Sequence, residues 1–421
     1  MQDILNLTQP GKTADSASKV AGQQLSASGP DWPQLIEQAT DWRRQLHRQP
    51  ELGWQEERTA LLIRQRLDAM GIQWRACAGT GTVATLGHGN GMETSAGDHP
   101  HIALRGDIDA LPIVEDSGVS WSSEHSGCMH ACGHDGHTAT LLATAAWLKR
   151  FEEQLPAPVT LLFQPAEEGG HGAKAMIDDG ALEGVDQIFG WHNWPAIPFG
   201  KMACPNGIVM CGNGTFKITL AGKGGHASQP ELCADPVLAA SAVVIALQQV
   251  VSRRLPPQLA AVVSVTSIDA ISAPTVIAQQ AVISGSIRVP DRATRQLVND
   301  AIESICHQTA AGYGTTATVE CFPRYEATIN HPEQARSMRN GWSQLFGEDS
   351  LEHGVMLPVM ASEDFSYYLN EIPGAFALIG SDDGAAPAWP CHSPHYDFND
   401  RLIERVTRLY SLLVQCPLPQ V

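Results

Sequence analysis

Long apolar runs are missing from the sequence. No stretch of about 18 apolar residues occurs, so no membrane-spanning helix is expected. Positive charge is also scarce. There are 27 basic residues against 45 acidic ones, a formal net charge of −18, and nothing more concentrated than pairs such as Arg43–Arg44 and Arg253–Arg254. A nucleic-acid binder needs a basic patch or stripe, and an anionic membrane repels an acidic surface, so neither is an expected partner. Ten cysteines at irregular spacing in 421 residues are too sparse for a disulfide scaffold. Reduced thiols, and with them a cytoplasmic location, are the expectation. Residues 1–30 lack the basic and then apolar pattern of a secretory signal and read as a polar extension. No Walker A sequence is present. Gly79-Thr-Gly-Thr-Val-Ala84 and Gly222-Lys-Gly-Gly-His-Ala227 imitate a dinucleotide fingerprint, but neither has the strand, helix and distal acid that NAD binding requires.

The chain is longer than one hydrophobic core normally serves, roughly 250–300 residues, so two domains are expected. From Asp31 to about residue 211, apolar strands (TVATLG, HIALRGDID, VTLLFQP, QIFGWH) alternate with helical stretches. That alternation predicts an α/β domain with a mostly parallel sheet flanked by helices. Residues 212–325 change rhythm to β-α-β-β-α-β, the order of an inserted ferredoxin-like α+β unit. Residues 326–421 then return to the first domain.

Five short segments concentrate chemistry. LRGDIDALP ends an apolar strand with Asp107 and Asp109, where ligand sites of α/β sheets lie. GCMHACGHDGH, residues 127–137, packs two thiols, three imidazoles and a carboxylate just before a helix, and such groups suit zinc and its neighbours. Cys132 and His134, two apart, can point to one side of an extended loop. FQPAEEGG places Glu167 and Glu168 together, one able to bind metal while the other moves protons. GWHNWP puts His192 at a strand end between Trp191 and Trp194, which together with Trp389 suit either an apolar acyl pocket or ordinary packing. In PCHSPHYDF, His392 and His395 compete as ligands. Together the segments supply donors for two metal ions about 3.5–4 Å apart that could share a water and polarise a carbonyl.

Over about residues 35–415 the motifs RGDIDALP, MHACGHDGHTA, PAEEGG, WHNWP, GKGGHASQP, SEDFSYY and CHSPHYDFND resemble the M20 metallopeptidase/amidohydrolase family. The similarity is to the branch of hippurate hydrolases, N-acyl-amino-acid amidohydrolases and auxin-conjugate hydrolases. The resemblance implies metal ligation by Cys132, His134, Glu168, His192 and His392, with Cys132 bridging. It implies Glu167 as the general base that takes a proton from the metal-activated water and delivers it to the leaving amine. Asp109 would orient the site. The inserted unit would be a lid and the contact of a homodimer, His226 would stabilise the oxyanion, and Arg288 would bind the substrate carboxylate through bidentate pairing. The implied substrate is an N-acyl amino acid and the implied cofactor two divalent ions, Zn, Mn, Co or Ni. Three positions depart from the family pattern: Val289-Pro290 after Arg288, Glu231 where histidine is common, and Cys391 where an apolar residue is common. Competing readings are a dipeptidase on the same site, a thiol amidase with Cys132 as nucleophile and His134 as base, and a metal-loaded regulatory protein without activity.

Overall fold

The computed structural model describes residues 31–87, 99–384 and 388–419; the extension over residues 1–30 lies outside the described residues. A seven-stranded sheet runs in the order Trp74–Cys77, Gly81–Leu86, Val159–Gln164, Ile102–Asp107, Gln187–Pro198, Gly374–Asp382, Met202–Ala203. The four central strands are parallel, and the strands on both margins pair antiparallel. Alternate residues of each strand enter two different cores. Leu104, Leu161, Phe163, Phe189 and Trp191 face one, while Ala103, Leu162 and Ile188 face the other. Side chains alternate across a strand, so a sheet apolar on both faces must be covered by helices on both.

The local signals that start and stop helices act as the sequence predicts. Helix Trp32–Arg48 begins with Asp31 accepting from the Gln34 N–H in a reciprocal capping box, with a proline in its first turn. Helix Glu57–Met70 ends at Gly71 in the left-handed conformation. Helix His134–Arg150 is buried on nearly every side. It packs against helices Trp32–Arg48 and Arg401–Leu413 and against strand Ile102–Asp107. Its small residues, Thr-Ala-Thr and Ala-Thr-Ala-Ala, allow that close approach.

The second sheet has four antiparallel strands in the order Val262–Asp269, Gln280–Val289, Gly212–Ala221, Thr316–Pro323. Helices Pro236–Leu247 and Arg292–Gly312 share a separate apolar core with it. This is the ferredoxin-like connection.

Two details of the first sheet differ from expectation, and both bear on the site. The strand carrying His192 does not end there. It continues to Pro198, so His192 sits mid-strand, level with Leu378 of the neighbouring strand. Cys132 and His134 do not lie on an extended loop. Gly133, at φ 96°, reverses the backbone between them and His134 is already the first helical residue. A Cβ at Gly133 would fall 2.4 Å from Asn193 Oδ1, so the turn needs glycine both for its φ and for space.

A buried ionic cluster ties the first helix to the rest. His47 lies between Asp135 Oδ2 (2.8 Å) and Glu115 Oε1 (3.2 Å), and Arg43 reaches Asp397 (2.9 Å) and Asp400 (2.7 Å). Burial opposes the charge on His47, but Asp135 and Glu115 raise its pKa from 6.5 to about 9. A folded-state pKa above the unfolded one stabilises fully below pH 6.5, and the contribution disappears as pH rises through 9. Melting temperature should therefore fall between pH 6.5 and 9.5 more steeply in the native protein than in a His47→Asn variant. Equal slopes would remove His47 as the cause.

Candidate metal centre

The sheet and the two loops beside it bring five donors together. Cys132 Sγ lies 3.3 Å from His192 Nε2, and His392 Nε2 lies 3.1 Å from Glu168 Oε1. Donor atoms of Cys132, His134 and His192 form one group within 4.8 Å of one another; those of Cys132, Glu168 and His392 form a second. Cys132 belongs to both. His392 is brought in from the far end of the chain by its backbone N–H, which donates to Ala131 O at 2.8 Å, and by a left-handed φ of 69°. His395 stays outside. Its Nδ1–H donates to the Asp116 carbonyl at 2.5 Å and its ring lies against Trp389.

Each imidazole is oriented by a partner on its other nitrogen. His134 Nδ1–H donates to the Asp109 carbonyl (3.0 Å) and approaches Asp109 Oδ1 (3.2 Å). His192 Nδ1–H donates to the Asn193 carbonyl at 2.6 Å. His192 Nε2 is thereby left facing Cys132 Sγ, and His134 Nε2, 3.5 Å from Asp107 Oδ2, is left free to ligate. Asp109 also accepts the Glu168 N–H at 2.8 Å through its other oxygen, so one carboxylate sets two donors. An Asp109→Ala variant should bind divalent metal about 10–100-fold more weakly by equilibrium dialysis. Unchanged affinity would remove Asp109 from this orienting role.

The donor set fits metal ions on an observation of its own. His134 Nε2 and Glu168 Oε1 are buried without a hydrogen-bond partner, their ion-pair neighbours being Asp107 Oδ2 at 3.5 Å and His392 Nε2 at 3.1 Å. Buried polar atoms are otherwise paired. Electrostatics separate the groups. Burial, then the rings of His137 and His134, hold His192 well below 6.5 and therefore neutral. Burial disfavours charge on His134, yet Asp107 and Asp109 raise it to about 10. The Cys391 thiol, with burial, holds Cys132 well above the usual thiol range. Burial pushes Glu168 up, but His392 and His134 bring it below the usual carboxylate value. Metal uptake by this set must release protons.

Glu167 lies beside the donors, its carboxylate within 4.8 Å of donor atoms of His134 and Glu168 on one side and of Glu363 and Asp364 on the other. Its Oε1 accepts the Asp364 N–H at 3.3 Å, and the Tyr325 hydroxyl donates to its carbonyl at 2.6 Å. Burial and the nearby Glu363, Glu168 and Asp364 carboxylates hold its pKa well above the usual carboxylate range. Below it, the fully buried Arg105 donates to Asp107 (2.6 Å), Glu363 (2.9 Å), Asp364 (3.2 Å) and Gln164 (2.8 Å).

Sequence reasoning missed several of these residues. Glu363 and Asp364 are an unexplained acid pair within SEDFSYY. Arg105 is a charge inside an apolar strand, which was the available signal. His137, bridging Asp107 (2.6 Å) and Asn193 (2.7 Å), lay in the metal motif without an assigned task.

Arg288 reaches the edge of the site, donating to Ser362 Oγ at 2.7 Å. His226 does not join the cluster. It is exposed and its Nδ1 accepts from Ser228 Oγ at 2.7 Å. Trp191 is core, edge-on to His137 and Phe398, rather than a pocket wall.

Comparison with known proteins agrees with this geometry. The profile of Peptidase family M20/M25/M40 matches residues 103–415. IAA-amino acid hydrolase ILR1-like 2 of Arabidopsis thaliana is 38% identical over 378 residues, covering 88% of this chain and 83% of its own. The hippurate hydrolase of Campylobacter jejuni is 37% identical over 374 residues, covering 88% and 94%. The crystal structure of the Bacillus subtilis YXEP protein, described as a dinuclear metal binding peptidase from the M20 family, superposes with a TM-score of 0.77. It is 31% identical over 91% of this chain and 98% of that one.

Proposed function

This chain belongs to peptidase family M20/M25/M40, and from that footing we propose that it hydrolyses the amide bond of N-acyl amino acids at a pair of divalent metal ions. The observation that carries the reading is the pair of donor groups sharing Cys132, with the buried Glu167 carboxylate within 4.8 Å of His134 and Glu168 donor atoms. Cys132, His134, Glu168, His192 and His392 would hold the ions. Bound there, they would polarise the amide carbonyl and acidify water. The mixed thiolate, imidazole and carboxylate set accepts Zn, Mn, Co or Ni.

The protein groups then divide the work. Glu167 takes a proton from the attacking water and returns it to the leaving amine, and a raised pKa suits a group that must do both near neutral pH. The Asp364 N–H fixes one of its oxygens, and Tyr325 fixes its backbone. Asp109 keeps the His134 tautomer. Arg288, with one Nη on Ser362, has guanidinium capacity left for a substrate carboxylate. Residues 212–325 serve as lid and as the contact of a homodimer. The outer edge of strand Val262–Asp269, unpaired among the described residues, and the exposed Ile268 and Ile271 support that role. His226, exposed on this unit, would meet the oxyanion in the partner's site. The ten cysteines, all free thiols, support a reducing compartment such as the cytoplasm. No helix among the described residues is long and apolar enough to cross a membrane.

The test is a substrate and metal panel. Chelator-stripped protein is reloaded with each metal and assayed on N-acetyl, N-benzoyl and indole-acyl amino acids and on dipeptides with a free amine. Hydrolysis of the blocked substrates, lost on stripping and regained on reloading, is the expected result. Cleavage of free dipeptides alone would make it a peptidase. Tight metal binding with no turnover would leave a binding protein, and activity indifferent to chelator but lost on alkylation would favour Cys132 as a nucleophile.

A further inference from the structure

Cys391 departs from the family pattern, and the fold places it against Cys132. The two segments are locked side by side by the His392 N–H to Ala131 O bond of 2.8 Å. Cys391 Sγ lies 3.9 Å from Cys132 O, in position to donate to it, and the Cys391 thiol is the largest influence on the Cys132 thiol. The Asn193 amide, itself held by its 2.7 Å bond to the Tyr396 hydroxyl, donates to Cys391 Sγ at 3.6 Å and fixes its direction. Cys391 is half-buried whereas Cys132 is buried. Cys391 falls in none of the donor groups among the described residues. It is therefore a thiol in contact with the metal donor set but outside it.

We propose that Cys132 and Cys391 form a peroxide-oxidisable pair whose disulfide removes Cys132 from the metal donor set. The inference rests on the reading of Cys132 as a metal ligand. Cys391, the more accessible sulfur, attacks an oxygen of hydrogen peroxide as its thiolate. The O–O bond breaks, one oxygen leaves as water, and Cys391 becomes a sulfenic acid. Cys132 then attacks that sulfur, the S–S bond forms, the S–O bond breaks, and the hydroxide departs as a second water. Two thiols lose two electrons and one peroxide gains them. The bond requires the sulfurs to close to roughly 2.05 Å, and the His392 N–H to Ala131 O bond holds their segments side by side while they do. A sulfur in a disulfide is no longer a thiolate donor, and Cys132 serves both donor groups, so its loss weakens both at once. A thiol reductant reverses the exchange. An apolar residue at 391 would leave Cys132 with no resolving partner at this contact.

The experiment uses zinc-loaded full-length protein titrated with hydrogen peroxide. It is followed by non-reducing peptide mapping, free-thiol counting, zinc release to a colorimetric chelator, and recovery with dithiothreitol plus zinc. The native protein should lose two of its ten thiols, yield a Cys132–Cys391 cross-link, release zinc in step with it, and regain hydrolysis on reduction and reloading. Cys391→Val should hydrolyse as well as the native protein before oxidant. At the dose that cross-links the native protein it should keep its zinc, and higher doses should inactivate it irreversibly. Absence of the cross-link from protein that holds two zinc ions would overturn the disulfide while leaving the metal reading intact. A cross-link formed with both ions retained would overturn the release of metal, and with it Cys132 as a ligand.

Discussion

Replacing Glu167 with glutamine will cost about 10²–10⁴-fold in kcat, the usual worth of a positioned general acid–base group, while the metal content stays that of the native protein. Gln keeps the size of the side chain and an oxygen to accept the Asp364 N–H, so the loop should keep its shape. It cannot take up and release a proton. Burial and the neighbouring Glu363, Glu168, Asp364 and Asp109 carboxylates make Glu167 retain its proton unusually well, so the neutral amide stands in for the neutral acid and stability should hold. Glu167 also lies near His134 and Glu168, within reach of a metal position, which makes metal content the decisive second readout. Loss of activity together with one metal ion would make Glu167 a ligand. Full activity would remove it from the reaction.

The second large effect is on stability. Arg105 is fully buried and supplies the cation for Asp107, Glu363 and Asp364. Arg105→Met preserves much of the side-chain volume but leaves three carboxylates uncompensated, and breaking a buried ionic group of this kind typically costs about 3–5 kcal/mol. The pH dependence identifies the cause. Burial already pushes Glu363 and Asp364 upward even against Arg105. Without the arginine, Glu363 and Asp364 should rise further in the folded state, and Asp107, which Arg105 helps hold well below its usual value, should rise as well. An acid raised by folding binds more protons folded than unfolded, so its penalty grows as pH rises above the unfolded value. Thermal melts should therefore show Arg105→Met least impaired near pH 5 and most impaired at pH 8. A pH-independent loss would indicate lost packing rather than unpaired charge.

The sequence by itself determined the periodic and punctuated features of this protein: its helix starts and stops, the two sheet rhythms, and the local motifs whose side chains are chemically unusual. Asp31 and Gly71 act through backbone geometry within a few residues, and that physics is present in the chain before it folds. The motif HACGHD and the pair Glu167–Glu168 were legible because few other tasks call for those residue types so close together. Tertiary structure alone decided contacts across long separations. It chose His392 over His395 because only the former has a backbone bond to Ala131, which places it next to Glu168. It set Glu363 and Asp364 beside Glu167, some 200 residues distant, because Arg105 gathers their charges under the sheet. It brought Cys391 to Cys132 for the same reason that it brought His392: a backbone bond joins their two loops. Pattern along a chain encodes local geometry, whereas the choice between two equally suitable side chains belongs to the packed sheet that holds only one of them in reach.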